Sequence, residues 1–86
     1  MQVRDAVLAF LRSEALIGDN DVVGDDDSLI AGGIIDSFSV MLLLTHLEET
    51  FGIRMPRRQL TKRDLDSIRA IEAVCTPLLR AAKASE

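Results

Sequence analysis

The chain has 86 residues, 48% of them hydrophobic and 28% charged, with a net charge of −4. That balance belongs to folded, soluble domains, and a chain this short buries only about 60–65% of its unfolded surface, enough for one modest core. The acid excess argues against nucleic acid as a general partner, the lack of Trp and Tyr removes base stacking, and a single cysteine permits neither an internal disulfide nor a thiolate zinc site.

Val3, Val7, Phe10 and Leu11 recur at helical spacing, which predicts a first helix over Gln2–Leu16, ended by Gly18. A connection rich in Asp and Gly follows, from Asp19 to Asp36, with Leu29, Ile30, Ile34 and Ile35 expected to pin it to the core. Eighteen residues without regular structure are unusual in so small a domain and lean toward function. The stripe Val40, Leu43, Leu44, Leu47 and Phe51 predicts a second helix from Ser37 to Phe51, stopped by Gly52, with Pro56 preventing a restart. Thr61 can cap a short turn of helix over Lys62–Leu65. Asp66 or Ser67 can cap a last helix whose apolar face is Ile68, Ile71, Val74, Cys75 and Leu78. Pro77 should kink that helix or end it early. The fold class is therefore all-α, three long helices and one short one in a single domain over residues 1–86. No stretch reaches the length of a membrane span and the start lacks a signal pattern, so a cytoplasmic location without membrane insertion is expected.

The chemistry concentrates at Asp36-Ser37. A hydroxyl stands at the first turn of a helix, behind the pair Gly32-Gly33 and next to an acid. Such a start turns backbone N–H groups and the positive end of the helix dipole toward whatever sits there, which favours a phosphate ester. If Asp36 takes the N-cap, Ser37 Oγ is left free. On position alone, Ser37 reads as an ordinary N-cap. Ser39 is a rival acceptor without a preceding acid.

Other constellations are weaker. Asp-Ser-Phe-Ser lacks a Gly-x-Ser-x-Gly elbow, and His46 lies nine residues on, about 13 Å along the helix, so Ser37 is not expected to act as a hydrolase nucleophile. His46 is expected to be a solvated residue beside Glu49, and Cys75 a buried small hydrophobe. Asp19 to Asp27 is similar to a calcium loop only superficially, since Val23 fills a ligand position and Ile30 replaces the closing glutamate. A solvated acidic loop is expected there, with no metal.

The segment Gly33 to Pro56, GIIDSFSVMLLLTHLEETFGIRMP, closely resembles the acyl carrier protein family, also called thiolation or peptidyl carrier domains. The resemblance covers nearly the whole chain and is specific between these two residues. It reverses the plain N-cap reading, because the serine of the Asp-Ser pair in that family bears 4′-phosphopantetheine. It implies a bundle of three long helices and one short one with a long first loop, covalent 4′-phosphopantetheine on Ser37 with Asp36 in support, and no catalysis by the chain itself. It further implies a monomer that meets a phosphopantetheinyl transferase, an acyl- or aminoacyl-activating ligase and a downstream acyl transferase or modifying enzyme.

Carriers of fatty acid synthesis typically show an acidic second helix. Here Ser39 and Leu42 stand where acids are common, and Arg54, Arg57, Arg58, Lys62 and Arg63 hold half of all Lys and Arg. Leu42, Glu48, Arg57 and Arg58 are the expected partner contacts, with charge complementarity setting partner choice. The Gly-Ile-Ile-Asp-Ser form is similar to discrete aminoacyl or specialised-metabolite carriers. The bulk of Phe38, Leu43, Leu44, Leu47 and Leu60 leaves little expected room for a long acyl chain, so a small or polar cargo is expected. A helical interaction module that never bears pantetheine is the alternative.

Overall fold

The computed structural model describes residues 1–84. Four α-helices run in the order α1 (Val3–Ser13), α2 (Ser37–Phe51), α3 (Lys62–Leu65) and α4 (Ile68–Ala84), with a 3-10 turn at Arg57–Gln59. There is no strand among the described residues. α1 packs against α2 and α4, and α3 against α4. This is the expected all-α carrier-type bundle.

α1 buries Val3, Ala6, Val7, Phe10 and Leu11 on one face. It ends at Ser13, short of the expected Leu16, and Gly18 is not what stops it. Ala15 takes the left-handed conformation at φ 57°. The Ala15 N–H donates to Arg12 O at 3.0 Å and the Leu16 N–H to Leu11 O at 2.9 Å, which satisfies carbonyls the helix would otherwise leave open. Alanine reaches that conformation at a cost of about 1–2 kcal/mol. The two bonds and the half-burial of Leu16 offset it.

The loop over 19–36 is pinned by Leu29 and Ile35, both buried, and by half-buried Ile30 and Ile34, as expected; Val23 is a further buried anchor. Its acids are not simply solvated. Asp25 pairs with Arg4 on α1, and Asp26 with Arg69 on α4 at 2.7 Å. Asp21 and Asp27 each accept a backbone N–H three residues back, from Gly18 at 2.6 Å and Gly24 at 2.8 Å. The loop is tied to α1 and α4 through partners distant in sequence.

α2 places Leu43, Leu44 and Leu47 in the core with Val40 and Phe51 at its margin. Gly52 closes it in the left-handed conformation, φ 64°, its N–H donating to Glu48 O. The turn at Arg57–Gln59 is too short to carry a periodicity and was not predicted. Thr61 caps α3, its N–H donating to Asp64 at 2.9 Å. Ser67, rather than Asp66, takes the last cap: its Oγ accepts the Ala70 N–H at 3.1 Å. α4 does not end early at Pro77 but continues to Ala84. Pro77 and Ala73, the residue whose carbonyl loses its donor, are both exposed, so water can serve the freed acceptor.

His46 departs from expectation. It is half-buried, with Nε2 3.2 Å from Ala6 O and its ring 5.6 Å from that of Phe10. It lies between Leu43 and Leu47 on the face of α2 that meets α1, so a polar residue type is carried inward by its position on the helix.

Candidate functional site

The N-terminus of α2 is built around two neighbouring residues with divided duties. Asp36 is extended, and its Oδ1 accepts the Ser39 N–H at 2.8 Å. That bond, and then the Ser39 hydroxyl, hold the Asp36 carboxyl below the usual carboxylate range. Ser37, the first residue of the helix, is exposed, and its Oγ makes no hydrogen bond among the described residues. Ser39 is half-buried, and it is its backbone N–H that Asp36 engages. Of the two candidate serines, Ser37 is the more exposed.

The approach to this point is a tight loop. Gly33 has φ 81°, which a residue with a side chain adopts only with strain. A Cβ on Gly32 would stand 2.2 Å from Ser28 O, so that position is closed to any other residue. The glycine pair thus shapes the chain rather than loosening it.

Beside Ser37 lies an open cleft of about 230 Å³. Val40, Met41 and Leu44 of α2 face Leu60 and Leu65 across it, with Ile30 from the loop. Arg57 and Lys62 border it. Of the expected bulky fillers, Leu43, Leu44 and Leu47 are buried, whereas the expectation is corrected for Phe38, which points outward at 71% exposure and fills nothing.

The expected partner contacts fall into two groups. Leu42 is exposed, as its position off the apolar stripe predicted, and Arg58 is exposed as well. Glu48 and Arg57 instead pair with each other. Glu48 also accepts the Met55 N–H at 2.9 Å, and Arg57 donates to Thr45 Oγ1 at 3.1 Å. The Arg57 guanidinium, then the Met55 N–H, hold the Glu48 carboxyl below the usual range. This pair fastens the segment after α2 back onto the helix. Sequence reasoning missed Phe38 and Met41, 71% and 49% exposed. They stand four and one positions before Leu42, on one side of the helix, and that spacing was the signal available.

A family model described as a phosphopantetheine attachment site matches residues 5–75, most of the chain and both residues of the Asp36-Ser37 pair. The chain belongs to this family of carrier proteins. No curated protein matches it. Membership implies covalently bound 4′-phosphopantetheine, and the carrier domains of the family are non-catalytic partners of a phosphopantetheinyl transferase and of catalytic enzymes. The residues at the start of α2 fit such a group. An accessible hydroxyl faces outward at the positive end of a fifteen-residue helix, and Lys62 on the bordering cleft supplies a cation. No helix among the described residues is long and apolar enough to cross a membrane.

Proposed function

We propose that the chain is a carrier domain whose Ser37 Oγ bears 4′-phosphopantetheine. The observation that carries this reading is the exposed Ser37 hydroxyl at the helix start, left out of the capping bond that Asp36 makes to the N–H of half-buried Ser39. When bound, the group supplies a thiol on which an acyl or aminoacyl cargo is held as a thioester. Asp36 caps α2 with its carboxylate and so keeps Ser37 Oγ out of the capping bond. Gly33 turns the chain so that the serine emerges at the helix start.

The carrier itself catalyses nothing. His46, the only histidine, is held against Ala6 O and Phe10, nine residues beyond Ser37, where it cannot serve that hydroxyl as a base. The domain acts as a cytoplasmic monomer. It takes its arm from a phosphopantetheinyl transferase, is loaded by an acyl- or aminoacyl-activating ligase, and hands the cargo to an acyl transferase or modifying enzyme. Partners meet it along Phe38, Met41 and Leu42, with Arg58 and the rim around Glu48 and Arg57 setting charge complementarity. The Gly-Ile-Ile-Asp-Ser form and the basic segment after α2 support a dedicated pathway over primary fatty acid synthesis.

Incubation with coenzyme A and a promiscuous transferase, followed by intact-mass measurement, tests the assignment. The unmodified chain and Ser39→Ala should gain one phosphopantetheine mass, and Ser37→Ala none while its circular dichroism stays helical. A mass gain on Ser37→Ala would place the attachment elsewhere.

A further inference from the structure

Asp66 is a half-buried acid between α3 and α4 that caps neither α4 nor any other helix start. Its side chain reaches back across the fold to the loop before Ser37. Oδ1 accepts the Ile30 N–H at 2.6 Å and the Ala31 N–H at 3.1 Å, and both carboxylate oxygens lie 2.9 Å from Ser28 Oγ. The Asp66 carbonyl accepts the Leu29 N–H at 2.6 Å. Ser28 Oγ, while donating to Asp66, accepts the Gly32 N–H at 3.2 Å. The four consecutive backbone donors from Leu29 to Gly32 therefore end, directly or through Ser28, on this one residue.

The rest of the approach hangs from that clasp. Gly33 N–H donates to Ile30 O, and Ile34 and Ile35 N–H both donate to Leu29 O, at 2.9–3.1 Å. Asp36 and Ser37 follow directly. The same clasp fixes one wall against another at the cleft, because Ile30 lines it from the loop while Leu65, the neighbour of Asp66, lines it from α3. A carboxylate receiving several charge-assisted hydrogen bonds is a stronger and more directional anchor than a neutral acceptor. The Ala31 N–H, the Ser28 hydroxyl and the Ile30 N–H, in that order, hold its carboxyl below the usual range.

We infer that Asp66 is a positioning residue for modification at Ser37: through the clasp on Ser28–Gly32 it sets where the start of α2 stands relative to α3. This rests on the reading of Ser37 as the attachment site. Asp66 touches neither the serine nor the incoming group, and it acts by holding the loop in the one arrangement a transferase has to recognise.

Asp66→Asn keeps the shape and removes the charge; Ser28→Ala removes the relay to Gly32 and is the second variant should the first fail to fold, with Ser28→Thr as the conservative rescue. In the protein before modification, amide exchange at residues 29–32 should quicken by about tenfold or more while the α4 amides keep their protection. Transfer from coenzyme A, followed by intact mass well below the melting temperature, should show the KM for the carrier raised by roughly fivefold or more with kcat little changed. A merely structural role would lower the melting temperature and leave KM alone. Unchanged exchange at 29–32, or a loosened loop with unchanged KM, overturns the inference. Failure of the Ser37 reading shows separately, as a mass gain on Ser37→Ala, and leaves the exchange result to decide whether the clasp holds the loop.

Discussion

Cys75 shows what a residue type does once its neighbours are fixed. It is fully buried on the inner face of α4, and burial, with Glu72 adding, pushes its thiol up to about 11 from an ordinary value of 9.0. The folded state therefore keeps its proton over a range in which the unfolded chain gives it up. Stability from this group is complete below the unfolded value and is lost as pH rises from about 9 to about 11. The loss amounts to roughly 2 kcal/mol across that window. Urea unfolding at a series of pH values from 7 to about 11 should show it, and Cys75→Ala should flatten the alkaline limb relative to the unsubstituted chain. Identical limbs in the two proteins would mean that the thiol does not ionise differently on folding. The two serines of α2 make the same point at closer range: Asp36 accepts the N–H of half-buried Ser39 and leaves Ser37 exposed.

α2 carries large apolar side chains on two sides. Leu43, Leu44 and Leu47 face the core, whereas Phe38, Met41 and Leu42 face water beside the candidate attachment serine. One exposed leucine is ordinary, but three large apolar side chains together are a surface that gains by being covered. Leu42→Glu and Phe38→Glu should each change folding stability by no more than about 0.5 kcal/mol, as typical surface substitutions do. Both should slow loading by the cognate ligase, measured as thioester formed over time on the modified carrier. Unaltered loading by folded variants would show that this side of the helix is not a contact.

At this scale, the helices were legible because each carries its own period and its own stops, Gly52 after α2 and the Thr61–Asp64 cap before α3. What was not legible depends on partners far along the chain. Asp66 and Ser28 are 38 residues apart, and Arg4 and Asp25 are 21 apart, so no local pattern announces either contact. His46 was misread for a related reason: its polarity suggested water, while its place between Leu43 and Leu47 put it against α1. Ala15 shows the limit for helix ends, since an alanine took the left-handed position that glycine at 18 had been expected to supply.

For the molecule as a whole, the helices leave a cleft between α2 and α3, and its size bears on the cargo. Its volume of about 230 Å³ lies below the roughly 300–1,000 Å³ of pockets that enclose drug-sized ligands. It is also open along one side, with Arg57 and Lys62 at the edge. On the proposed reading, a short acyl or aminoacyl group is the cargo matched to a space of this size. On the same reading, a long chain would have to widen the cleft past buried Leu44 and Leu65, against the Asp66 clasp that holds the loop. Packed interiors resist such opening unless the entering chain replaces every contact it breaks. The Ser37 arm loaded in turn with an amino acid, a short acyl group and a long one provides the comparison, read by core amide chemical shifts and melting temperature. The short cargoes should disturb only amides lining the cleft, such as those of Val40, Met41 and Leu44, and the long one should leave the melting temperature unraised. A long chain that shifts core amides broadly and raises the melting temperature would mean that the helices do part for it, and a lipid cargo would then displace the small or polar one.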